Sequence, residues 1–108
     1  MRRNWKPVIE DAIKHLLDQG LTLYSVDNGD DEEVLVNTIN EAVEEIDGVD
    51  EAHLYVKNPD GKKRWIFFVM GNEPEEIMSD YICDPLIEKA FDIFCNKWEG
   101  VSCPLIKD

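Results

Sequence analysis

Carboxylates are the side chains whose number and spacing raise the first chemical question. Residues 27–51, DNGDDEEVLVNTINEAVEEIDGVDE, hold eleven Asp or Glu and no Lys or Arg, in a 108-residue chain of formal net charge −13. Two carboxylates can serve as acid and base when they are held at a fixed separation across a substrate in an enclosed site. The candidate pairs, Glu41 with Glu45 and Glu44 with Glu45, fall on the water-facing side of an amphipathic pattern. An exposed helix face gives no enclosure, so no catalytic residue is expected among them. His53 is a potential base, but Ser25, Ser79, Ser102 and the cysteines stand in no nucleophile motif. With no glycine-rich phosphate loop or dinucleotide fingerprint either, an enzyme using His53 and nearby carboxylates is only the second alternative, and no cofactor is implied.

Metal chemistry finds no better footing. Asp27, Asn28 and Gly29 invite a calcium reading, but the loop lacks the alternating acids and the Glu twelve positions along that such a site requires. Cys83, Cys95 and Cys103 are odd in number and form no CxxC pair, so the first two read as buried reduced thiols rather than zinc ligands. His15 has no ligand-spaced neighbour and reads as a boundary residue. The aromatic residues read as packing, with Tyr24 and Tyr55 the pair best placed to share an exposed sheet face.

What remains is electrostatic. An excess of acid disfavours direct binding to nucleic acid or an anionic membrane and favours a basic protein surface. Carboxylates on successive helical turns lie about 5.4 Å apart along the axis, a spacing on the scale of backbone phosphates. The chain therefore reads as a non-enzymatic, acidic protein-binding domain: a nucleic-acid mimic, an inhibitor of a DNA- or RNA-binding protein, of the kind expected from a phage or mobile element. Its partner-binding residues would be Glu33, Glu41, Glu44, Glu45 and Asp47, joined by Asp80, Glu88 and Asp92 if the two acidic segments merge. The first alternative is a small soluble adaptor or a homo-oligomer with an apolar interface. Lys57, Lys62, Lys63 and Arg64 give either a charged hairpin tip or a basic counterpart for another copy's acidic helix, which would make a homodimer.

These residues need positioning elements. Asn4 caps a helix over residues 5–19 with Trp5, Val8, Ile9, Ala12, Ile13, Leu16 and Leu17 as its apolar stripe, stopped by Gly20. A strand follows at 21–26. Asp30, in a capping box with Glu33, starts the acidic helix, whose buried stripe is Leu35, Ile39, Ala42, Val43 and Ile46. Strands at 49–56 and 62–70 flank the turn Asn58-Pro59-Asp60-Gly61 as a hairpin. The return strand is apolar on both faces and so reads as central. Asn72 or Glu73 opens a short helix toward Tyr81, and Asp84-Pro85 starts the last one, ended by Gly100.

The expectation is a single α+β domain over residues 1–108 in the order α-β-α-β-β-α-α, with a three-stranded, mainly antiparallel or mixed sheet packed by helices and a frayed tail at 101–108. The apolar share of 44% suits one buried core. No run of eighteen apolar residues spans a bilayer and the N-terminus lacks the features of a secretory signal, so a cytoplasmic location is expected.

Overall fold

The computed structural model describes residues 3–29, 32–71 and 73–106. Helix α1 (Lys6–Asp18) opens with Pro7 in its first turn, and the Asn4 side chain accepts from the Lys6 N–H at 3.3 Å. Gly20 ends the turn behind it at φ 97°, a left-handed conformation that glycine adopts without a Cβ penalty. Strand β1 (Thr22–Asp27) pairs with β2 (Val34–Leu35), and helix α2 (Ile39–Asp47) leads to β3 (Glu51–Lys57). A tight turn with Gly61 at φ 81° connects to β4 (Lys63–Val69). A 3-10 turn (Pro74–Glu76), β5 (Met78–Tyr81) and α3 (Pro85–Trp98) complete the order.

The sheet is five-stranded and antiparallel throughout, in the order β2-β1-β3-β4-β5. Two strands beyond the expected three stand at its edges. The segment expected as a short helix toward Tyr81 is a single 3-10 turn and then β5, because the free edge of β4 offers backbone partners that a helix would leave unused. Asn72, one of the two proposed starts of that helix, lies outside the described residues. The central strand is β3, not the return strand β4. The first strand runs antiparallel to β3, since β2 reverses the chain before α2 carries it across.

The acidic helix is shorter than expected. Thr38 caps it, accepting from the Glu41 N–H at 3.2 Å while the Glu41 carboxylate accepts from the Thr38 N–H at 3.1 Å. Asp30 and Asp31 lie outside the described residues, and Glu33 precedes β2 rather than closing a capping box. Leu35 is no core residue. It sits on edge strand β2, 66% exposed, while its neighbour Val36 is buried.

All three helices pack on one face of the sheet. Alternate residues of the strands, Val26, Ala52, Leu54, Val56, Ile66, Phe68 and Met78, meet Val8, Ile9, Ala12, Ile13 and Leu16 of α1 in one core with Ala42 and Ile46 of α2 and Ile87, Ala90 and Phe94 of α3. Helix α1 touches both others and lies between them. Its contact with α3 carries a polar cluster: Asp11 accepts from Lys97 Nζ at 2.7 Å and Trp98 Nε1 at 2.9 Å, and His15 Nε2 stands 3.3 Å from its carboxylate. Cys83 is exposed and Cys95 half-buried, so neither is the fully buried thiol expected. The C-terminal segment returns to the start of the chain: Leu105 bridges to Arg3, and the Asn4 N–H donates to the Pro104 carbonyl at 2.6 Å.

Candidate functional site: an acidic corner and an open sheet face

The expected partner-binding carboxylates divide among four places, with Glu33 standing just before β2. Glu41, Glu44, Glu45 and Asp47 are on α2. Glu88 and Asp92 are on α3, across α1 from them, and Asp80 is on edge strand β5. Several are engaged within the chain. The Glu41 carboxylate holds the α2 cap, Glu44 pairs with Lys6 at 2.9 Å, and Glu45 accepts from Asn28 Nδ2 at 3.1 Å. Glu33 pairs with Lys63 at 3.0 Å, and that hydrogen bond from the ammonium holds its carboxyl below the usual range.

One acidic grouping does form. Asn28 ties the turn after β1 to α2, and just past the end of that helix a hollow of about 450 Å³ is lined by Asp27, Asn28, Asp50, Glu51, His53 and Phe67 among others. Carboxylates from β1, β3 and the α2–β3 connection thus meet beside the C-terminal end of α2, where the helix macrodipole is also negative. His53 opens onto the same hollow, with its ring stacked on Phe67 at 4.6 Å. Among the described residues, no group of three or more His, Cys, Asp or Glu is arranged to hold a metal ion.

The second feature is the sheet face away from the helices. Strand register sorts its side chains into rows. Thr22, Lys57 and Lys63 form the row at the hairpin end; Leu35, Ser25, Tyr55 and Trp65 form the next; Asp27, His53, Phe67 and Asp80 the third; Glu51 and Val69 the last. Tyr55, Trp65, His53 and Phe67 are half-buried, and His53 stacks on Tyr55 at 6.3 Å and meets Trp65 edge-on at 5.8 Å. The bulge at Tyr24 brings that ring to the same face, where Lys57 Nζ lies 4.6 Å from its centroid. Lys63 lies across Tyr55 and Tyr24, 4.4 and 5.0 Å from their centroids, before reaching Glu33. Such contacts hold a lysine flat on an aromatic surface.

The hairpin cations therefore divide. Arg64 is on the helix side, bonded to Asp84 at 3.2 Å, whereas Lys57 and Lys63 belong to the open face. Sequence reasoning paired Tyr24 with Tyr55 but missed Trp65 and Phe67, whose alternation with buried Ile66 and Phe68 was the available signal. Searches against family models, curated proteins and solved structures found no match to this chain.

Proposed function

We propose that this chain is a non-enzymatic, acidic protein-binding domain of the cytoplasm that presents the corner formed by α2 and the adjoining hollow to a basic surface, as a nucleic-acid mimic inhibiting a DNA- or RNA-binding protein. The observation that carries the reading is the gathering of Asp27, Asp50 and Glu51 around one hollow beside an α2 that bears Glu41, Glu44, Glu45 and Asp47 and no basic residue. Because α1 separates α2 from α3, the proposed footprint is this one corner, without Glu88, Asp92 or Asp80. A groove built for phosphates would meet carboxylates from a helix and two strand ends.

The test is capture of a basic nucleic-acid-binding protein from cell extract by the folded domain, followed by elution with duplex DNA or RNA and with salt. Glu41 stays unchanged because its carboxylate caps α2, so the charge-reversed control carries Glu44→Lys, Asp47→Lys and Asp50→Lys. Loss of capture with an intact fold is the expected result. Capture that survives these reversals, or that nucleic acid does not displace, overturns the mimic. A second reading, a homo-oligomer with an apolar interface, is favoured by the aromatic rows of the open sheet face.

A further inference from the structure

The open face has the composition of an interface centre and a built-in polarity. Its two middle rows carry Tyr55, Trp65, His53 and Phe67, and aromatic residues are enriched where protein partners meet. Exposed Leu35 extends the second row to the sheet edge. One end of the face is cationic, with Lys57 and Lys63, and the other ends on Glu51 with Asp27 one row inside. Strands of two, six, seven, seven and four residues, about 4.8 Å apart and rising about 3.4 Å per residue, give a face of roughly 420 Å² in projection. Side-chain relief adds to this, which puts the face among the smaller interfaces, below the roughly 800 Å² that each partner contributes to one of standard size.

We infer that this face is the interface of a two-fold homodimer in which two sheets pack with their rows reversed, Lys57 of each copy against Glu51 of the other. The charge gradient selects that arrangement. A two-fold axis along the strands would set lysine row on lysine row and acid on acid, a like-charge juxtaposition that excludes that pairing. An axis along the rows reverses them, so the cationic row of one copy meets the acidic row of the second, and Tyr55 and Trp65 cover His53 and Phe67. Lys63 is held by its own Glu33, which leaves Lys57 as the cation that crosses. An isologous contact uses the same patch twice, so one pair of residue types occurs at both ends of the interface. Face-to-face sheets keep their strand directions within about 30° of each other, close enough for this register. The interface takes Asp27, Glu51, His53 and Phe67 from the lining of the hollow, so in the dimer the acidic corner open to a basic partner is reduced to α2 and Asp50, while both helix layers face outward.

Sedimentation equilibrium of the full chain at near-physiological salt tests it. The wild type is expected at twice the 12.5 kDa chain mass. Lys57→Glu and Glu51→Lys are each expected to weaken association at least roughly tenfold, and the double swap to restore it to within about threefold of wild type. Both positions are exposed, so folding should survive, and far-ultraviolet circular dichroism checks that it does. A wild type that stays at monomer mass across the accessible concentrations overturns the proposal. So does a dimer indifferent to either single reversal, or one that the double swap fails to restore.

Discussion

The two faces of the sheet are made from the same strands, yet they hold their side chains by different means. On the covered face Phe68 and Ile66 are fully buried against three helices, and hydrophobic burial organises the surface. On the open face Phe67 and Trp65, one residue away in each case, are only half-buried, and both rings pack against His53. Alternation alone does not make a strand amphipathic. A strand can be apolar on both sides because one side faces a core and the other an aromatic surface.

The sharpest way to break this comparison is to truncate adjacent phenylalanines. Phe68→Ala is expected to cost about 3–5 kcal/mol of folding stability, while Phe67→Ala in the monomer should cost under about 2 kcal/mol. Equal losses in urea denaturation would mean that the open face is as closed as the core.

A smaller effect is expected where the helix side meets the hairpin. Asp84 caps α3 by accepting from the Leu86 N–H at 2.9 Å and also holds Asn58 and Arg64. Burial pushes its carboxyl upward, but these donors outweigh burial and hold it below the ordinary value of 3.8. Asp11 behaves alike: burial raises it, and Lys97, Trp98 and His15 outweigh burial and lower it. A folded-state value below the unfolded one gives a stabilisation that is full above the unfolded value and lost as pH falls through the folded one. Stability should therefore decline below about pH 4. Asp84→Asn should shallow that decline, and Asp84→Ala should cost about 1–2 kcal/mol at neutral pH. An unchanged acid limb in Asp84→Asn would remove this carboxylate from the account.

The smallest change separates charge for folding from charge for binding. Asp47 ends α2 at its negative pole, so Asp47→Lys should stabilise the fold by roughly 0.3–1 kcal/mol while weakening capture of a basic partner. Thermal unfolding and capture should move in opposite directions. If both fall, Asp47 serves the fold, and the acidic corner shrinks to the hollow.

The helices and the hairpin could be read from sequence because their signals are local. The stripe of α1, the Asn58–Gly61 turn and the Asp84-Pro85 start each lie within a few residues. The capping box of Thr38 and Glu41 was equally local, but the acids at 30–33 offered an earlier start of the same form and drew the helix boundary forward. Strands β2 and β5 were hidden for a different reason. Val34-Leu35 is too short to show a period, and Met78-Ser79-Asp80-Tyr81 has no β-branched residue; each is a strand because a neighbour has an edge to pair. The open-face rows depend on register between five strands, which no single segment carries. Carboxylates could be counted from the sequence, but their separation by α1 could not.

The sheet's margins set a limit on how copies of this molecule can add together. Strand β2 offers two residues of backbone, and β5 is four residues long with a shift of register opposite Phe67 and Phe68. Short and irregular borders of this kind are poor templates for another chain's strand. Growth sideways into a ribbon or fibre is thereby discouraged even though one broad surface is aromatic, and a contact that uses that surface twice closes on itself after two molecules.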